Sequence, residues 1–339
     1  MNIQAALREL VESRDLSFDD MHAVMASIMS GDATEAQIAG FLIALRMKGE
    51  TVEEIAAAAS VMREFAAHVE IDIKPLIDTC GTGGDGIGTF NISTASAFVT
   101  AAAGGYIAKH GNRAASSASG SADVLEAAGA RIDLAPAQVA ECVREVGVGF
   151  MFAPAHHGAT RHAAGPRREL GTRTLFNILG PLTNPANADC QLMGVFDRKW
   201  VPRAAAVLQR LGVTHAMVVC AADGMDEISI GSATHVAELS NNEIRSYDIK
   251  PGDFGLQECP IEALAAADPH ASLHIIQGVF GGEAGPASDI VALNAGAAIY
   301  VGGLAENLRA GVERAREVLA SGAAGESFAK FIAFTQAVG

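Results

Sequence analysis

Between Asp85 and Asp123, a chain with a formal charge of −15 carries no Asp or Glu. Gly, Ser, Thr and Asn fill the gap, with Lys109, His110 and Arg113 as its basic side chains. The segment opens Asp78-Thr79-Cys80-Gly81-Thr82-Gly83-Gly84-Asp85-Gly86-Ile87-Gly88-Thr89-Phe90-Asn91-Ile92-Ser93-Thr94. A second cluster runs Lys109-His110-Gly111-Asn112-Arg113-Ala114-Ala115-Ser116-Ser117 and on to Ser121. Free backbone N–H groups, hydroxyls and a few cations are what hold a phosphate-rich anion. Two such loops, each leading into a helix, point to a ligand with more than one phosphate group.

The run Gly81-Thr82-Gly83-Gly84-Asp85-Gly86 also fits the dinucleotide fingerprint G-x-G-x-x-G. That reading needs an acid about twenty residues on, for a ribose hydroxyl. Lys109 and His110 stand there instead. A bare tight turn is the other alternative, and the second cluster argues against it.

Asp226 and Glu227 follow an apolar run, His215 to Ala221, that reads as a strand. Topology puts them near the carboxyl edge of a sheet, where α/β proteins bind ligands. Carboxylates there repel a polyphosphate unless Mg²⁺ lies between, and a solvated acidic turn is the competing reading. Gly165-Pro166-Arg167-Arg168-Glu169-Leu170-Gly171-Thr172-Arg173 is a basic patch whose guanidinium forks suit a carboxylate, or simply exposed helix arginines. His156 and His157 precede it without a third ligand at metal spacing.

These groups need a scaffold. The first seventy residues read as helices: an apolar stripe at Ile3, Leu7 and Leu10, then starts at Ser17, Thr34 and Thr51. Thr51 with Glu54 is a capping box. From Leu76 short apolar runs alternate with helical segments. Leu76 to Thr79, Val148 to Phe152, Gln191 to Phe196 and His215 to Ala221 read as strands. Asn91 to Ala103, Ala122 to Ala128, Pro136 to Val146 and Pro202 to Leu211 read as helices, and the last ninety residues return to helix. The expected class is α/β: a small N-terminal all-helical domain, and a large domain with a mostly parallel central sheet flanked by helices.

Composition excludes other classes. The 339 residues are 50% hydrophobic, enough for a large core, and only 5% aromatic. An acidic chain without a lysine-rich run lacks the footprint of a nucleic-acid binder. Five dispersed cysteines form no CxxC pair, so reduced thiols and a cytoplasmic protein are expected. The N-terminus lacks signal-peptide features, and the apolar stretch Ala95 to Ala108 is too short to span a bilayer.

The motifs resemble those of the anthranilate phosphoribosyltransferase family. The resemblance rests on Asp-Thr-Cys-Gly-Thr-Gly-Gly-Asp, Asn-Ile-Ser-Thr, Lys-His-Gly-Asn-Arg, Ser-Gly-Ser-Ala-Asp-Val-Leu-Glu, Leu-Gly-Thr-Arg-Thr-Leu-Phe-Asn-Ile-Leu-Gly-Pro-Leu-Thr-Asn-Pro and Asp-Gly-Met-Asp-Glu. They stand in the family's order and cover essentially the whole chain. The resemblance implies transfer of phosphoribose from phosphoribosyl pyrophosphate (PRPP) to the amine of anthranilate, a step of tryptophan biosynthesis. It implies Mg²⁺, a homodimer through the helical domain, and a division into residues 1–70, with helices from about 165–190 packed on them, and 71–339. Gly81, Gly84, Asp85, Thr89, Asn91, Ile92, Ser93, Thr94, the segment Lys109 to Ser117 and Ser121 would hold PRPP. Ser93, Asp226 and Glu227 would hold metal, and Gly81, Asn112 and Arg167 would meet anthranilate. No residue is expected to act as acid or base; Lys109, Asn112 and Arg167 would act by position and charge. The chain departs from the family at Ala118, often basic there, and at Gly158-Ala159-Thr160 after the histidine pair. A pyrimidine nucleoside phosphorylase-like enzyme and a non-catalytic nucleic-acid-binding paralogue are the rivals.

Overall fold

The computed structural model describes residues 1–114 and 117–338. Ala115 and Ser116, both expected in the phosphate loop, lie outside the described residues. Four helices open the chain: α1 (Ile3–Val11), α2 (Phe18–Ser30), α3 (Glu35–Lys48) and α4 (Val52–Glu64). Each begins on a side-chain oxygen that accepts from the first turn: Asn2, Ser17, Thr34 and Thr51. The capping boxes at Thr34/Gln37 and Thr51/Glu54 are both closed. Glu54 does more than cap. It is fully buried, accepts from Leu16 N at 2.9 Å and Thr51 N at 2.8 Å, and pairs with Lys48 Nζ at 2.9 Å. A buried carboxylate satisfied on every side joins α3, α4 and the α1–α2 connection.

The sheet has seven strands: β1 (Leu76–Gly81), β2 (Tyr106–Gly111), β3 (Val148–Phe152), β4 (Cys190–Gly194), β5 (His215–Ala221), β6 (Thr234–Ser240) and β7 (Glu243–Ile249). Their order is β3-β2-β1-β4-β5-β6-β7. The five from β3 to β5 are parallel, and β6 and β7 continue antiparallel. The chain builds outward from β1 to one side, then returns to build from β1 to the other. That reversal opens a crevice at the carboxyl ends of β1 and β4.

Two differences from the sequence reading have local causes. Lys109 and His110, read as loop, lie in β2, because Tyr106 to Gly111 is a buried strand whose burial an interior lysine hides. The β6–β7 hairpin was not anticipated. Asn241 and Asn242 make its turn at φ of 51° and 60°, the left-handed pair that a two-residue hairpin needs and that Asn tolerates.

One face of the sheet carries α5 (Ile92–Ala102) and the C-terminal helices. Phe98 sits at their centre, edge-on to Phe328 at 4.8 Å and Phe331 at 5.4 Å between centroids. On the other face, helix Trp200–Arg210 and the four N-terminal helices share one apolar cluster with Leu175, Phe176, Ile178 and Leu179.

Small residues let the helices Pro286–Val301 and Leu308–Ser321 approach closely: a Cβ at Gly296 would stand 2.5 Å from Val312 Cα. Gly296→Val should therefore lower unfolding free energy by about 3 kcal/mol, the upper end for overpacking. Urea denaturation checks this; an unchanged midpoint would show that the helix pair can part at no cost.

Candidate active site

The crevice at the strand reversal is a cavity of about 380 Å³. Its walls include Gly81, Gly84, Asp85, Thr89, Asn91, Ile92, Ser93, Lys109, His110, Gly111, Asn112, Arg113, Ala114, Ser117, Ser121, Arg167, Asp226 and Glu227. Of the described candidate residues only Thr94 stays off the wall. It is buried in the first turn of α5 with its hydroxyl unpartnered.

The Asp226 loop fixes the floor. Gly81 and Gly194 end the adjacent strands β1 and β4. A Cβ on Gly81 would strike the Asp226 carboxylate, and one on Gly194 would strike the Asp226 carbonyl. Only two glycines side by side let this loop reach over the strand ends. Asp226 then accepts from Gly83 N at 2.7 Å, and Glu227 accepts from Ser93 N at 3.1 Å in the first turn of α5. The acidic pair thus ties the glycine loop to the helix N-terminus.

Lys109 reaches the same point from β2. Its ammonium donates to the Thr79 carbonyl and to Ser93 Oγ, the latter at 3.2 Å. Burial pulls it below the ordinary lysine range, opposed by the charge of Asp78. Asp78 is itself buried, and Asn184 Nδ2 at 2.8 Å and His110 N at 3.2 Å hold its carboxylate.

The carboxylates are strained electrostatically. Burial, then the charge of Asp85, raises Asp226 to about 6. Burial, then Asp226, raises Glu227 to about 8. Crowded acids beside a single buried lysine are what a divalent cation relieves. Among the described residues no three His, Cys, Asp or Glu side chains form a ready-made cage. That suits Mg²⁺, which keeps waters and substrate phosphates and takes only one or two carboxylates.

The second loop is pinned to the first. Asn91 Nδ2 donates to the Ser119 carbonyl at 3.1 Å, and Ser119 Oγ donates to Asn91 Oδ1 at 2.7 Å. Asp123 accepts from Gly120 N at 2.9 Å and Ala114 N at 2.8 Å. Arg113 lines the cavity with its guanidinium engaged, in a fork on Glu126 and 5.5 Å from the Phe152 ring centre.

Arg167 also lines the cavity, 4.9 Å over the Phe176 ring. Desolvation is what holds its guanidinium below the ordinary value, with no carboxylate acting on it. His110, on the cavity wall, packs against the buried His157 behind it, ring centres 5.0 Å apart, and each Nε2 lacks a partner among the described residues. Burial drives them down to about 3 and about 4, so both are neutral at pH 7. The cavity wall therefore combines loop N–H groups, hydroxyls and crowded acids with Arg167, whose guanidinium has no carboxylate partner among the described residues.

Ser119, Phe176 and Asn177 lie inside the sequence motifs above without an assigned role, and Gly194 lies outside them; all four line or shape the cavity. Gly194 carried the one usable signal, a glycine closing a buried strand.

The helical-bundle model of a glycosyl transferase family matches residues 4–66, and its α/β-domain model matches residues 73–325. The chain is 57% identical over 335 residues to the anthranilate phosphoribosyltransferase of Thioalkalivibrio sulfidiphilus, covering 99% of both chains. With that of Cellvibrio japonicus it shares 58% over 340 residues, again 99% of both. The chain belongs to the anthranilate phosphoribosyltransferase family. The crystal structure of the Thermus thermophilus member superposes with a TM-score of 0.93 at 43% identity, covering 98% of this chain and 99% of that one. The Saccharomyces cerevisiae member, solved in complex with PRPP and Mg, superposes at 0.90 with 26% identity, covering 99% and 98%.

Gly194→Ala should push the Asp226 backbone off the strand ends. Pyrophosphate affinity in the presence of Mg²⁺, by titration calorimetry, is expected to fall about tenfold. Affinity within about twofold of wild type would show that the loop does not need this approach.

Proposed function

We propose that the chain transfers 5-phosphoribose from PRPP to the amine of anthranilate, giving N-(5-phosphoribosyl)anthranilate and pyrophosphate. The observation that carries this is the cavity's lining: N–H groups, hydroxyls and paired acids, together with an Arg167 guanidinium that has no carboxylate partner among the described residues. PRPP supplies a pyrophosphate and anthranilate a carboxylate, and these groups match them.

The glycine loop, the start of α5 and the second loop hold PRPP, through Gly81, Gly84, Asp85, Thr89, Asn91, Ser93, Lys109, Asn112, Ser117 and Ser121. Ser93, Asp226 and Glu227 would hold Mg²⁺, which would neutralise charge on the departing pyrophosphate. Lys109 and the loop N–H groups add fixed positive potential at the same place. Arg167 grips the anthranilate carboxylate, and Gly81 and Asn112 complete that pocket. An aniline-type amine is neutral at pH 7, so positioning suffices and no side chain need remove a proton before attack. The buried, neutral His110 on the cavity wall, backed by the neutral His157, excludes water and adds no charge beside the substrates.

The division of the chain falls near residue 70, with 1–70 as the helical domain and 71–339 as the α/β domain. Support comes from the link between Glu64 and Leu76, which carries neither helix nor strand. The chain works as a homodimer through the helical domain, where Met47 and Val11 are 82% and 68% exposed. Sedimentation should show a dimer that Met47→Glu weakens; an unaffected dimer would move the interface elsewhere. Among the described residues no helix is long and apolar enough to cross a membrane. Five free thiols, four of them buried, support a cytoplasmic setting.

Mixing the protein with Mg²⁺, PRPP and anthranilate should quench anthranilate fluorescence and release equal pyrophosphate. Phosphate-dependent cleavage of thymidine or uridine instead would favour a nucleoside phosphorylase. Arg167→Ala should raise KM for anthranilate about 10- to 100-fold, with little change for PRPP. Equal effects on both would remove the carboxylate-clamp role.

A further inference from the structure

The glycine loop braces itself only weakly, through Ile87 N donating to Asp85 Oδ1 at 3.3 Å. Gly83, Gly84, Gly86 and Gly88 all lie at positive φ, from 63° to 76°, so each leaves a wide set of conformations when the loop orders. A loop of this kind holds its shape only if something outside it does the holding. Thr82 secures its first residues: Thr82 N donates to the Gly194 carbonyl at 3.0 Å, and Phe196 N donates to Thr82 Oγ1 at 3.1 Å. Beyond Thr82, Asp226 holds Gly83 N at 2.7 Å, and the Gly84 carbonyl has a partner from another distant part of the chain. Arg173 Nη2 donates to it at 2.6 Å.

Arg173 is oriented at both ends. Its guanidinium lies 4.0 Å over the centre of the Phe196 ring, the closest arginine–aromatic stack among the described residues. Its own carbonyl accepts from Arg46 near the end of α3. The side chain is exposed and is not part of the cavity wall. It reaches the cavity wall through Gly84, and through Phe196 it backs Thr82.

We propose that Arg173 is the positioning residue of the PRPP loop, a strap that fixes the peptide plane between Gly84 and Asp85. This rests on the phosphoribosyl transfer reading above. Because a peptide is planar and trans, turning the Gly84 carbonyl toward Arg173 turns the Asp85 N–H to the opposite side. An anion then meets a donor already in place and does not bear the cost of ordering the loop. Through Arg46 the same strap ties the loop to the helical domain. Among the described residues the Arg173 guanidinium bonds the glycine loop and stacks on Phe196, not on Arg167 or Phe176, so its effect falls on the phosphoribosyl donor.

The test compares Arg173→Ala, Arg173→Lys and Phe196→Leu with wild type by three readouts: KM for each substrate, pyrophosphate titration with Mg²⁺, and hydrogen exchange of residues 82–88 in the free protein. Arg173→Ala should raise KM for PRPP and weaken pyrophosphate about tenfold, the size of a charged hydrogen bond. It should speed exchange across 83–87 and leave KM for anthranilate within about twofold. Arg173→Lys, which keeps the charge and loses the planar stack, should recover part of the effect. Phe196→Leu should reproduce part of it. Equal rises in both KM values, or exchange unchanged in Arg173→Ala, would overturn the strap. A wild-type protein that fails to consume PRPP would overturn the transfer reading, while the exchange measurement would still decide the strap.

Discussion

The contact on which the site depends is the seating of the Asp226 loop over Gly81 and Gly194 at the ends of β1 and β4. Strand order creates a crevice there, because the sheet grows away from β1 in both directions. A crevice alone is neutral ground. The two missing Cβ atoms let a loop from beyond β5 lie across it, bringing two carboxylates onto the glycine loop and the start of α5. Remove that approach and the anion-binding groups remain, but the groups suited to metal no longer face them.

The charge layout follows from this. No acid occurs in the sequence between Asp85 and Asp123, the part that supplies most of the N–H groups and hydroxyls. Acids enter only at its borders or from outside. Asp123 is spent on backbone N–H groups of the second loop, and Asp226 and Glu227 come from a different turn of the chain. The cost appears in their elevated proton affinity, caused by burial, then by Asp85 at Asp226 and by Asp226 at Glu227. That tension has a use if a cation and a polyanion arrive together, and it is unfavourable without them. Arg167 keeps its charge unspent, whereas Arg113 gives its fork to Glu126.

Much of this was legible in the residues. Helix starts at Ser17, Thr34 and Thr51 were readable because caps act locally. Strand β1, the glycine loop and α5 were readable because a buried apolar run, a glycine cluster and a small-residue helix differ in period and composition. Lys109 was harder. A lysine inside a strand contradicts the expected pattern, and only the cavity beside β2 explains why it is tolerated. The role of Gly194 depends on a loop over thirty residues later, and that of Arg173 on a carbonyl 89 residues earlier. Neither leaves a periodic trace. The Asn241-Asn242 turn did leave one, in a residue type that accepts positive φ.

The central claim is that the Asp226–Glu227 loop, seated by two glycines, presents metal to a pyrophosphate held on the glycine loop. A crystal grown with Mn²⁺ and pyrophosphate tests it most directly, by anomalous scattering. The account predicts a Mn²⁺ peak within coordinating distance of Ser93, Asp226 or Glu227 and of a pyrophosphate oxygen. A peak that touches none of these residues, or pyrophosphate bound away from the β1–β4 crevice, would contradict it.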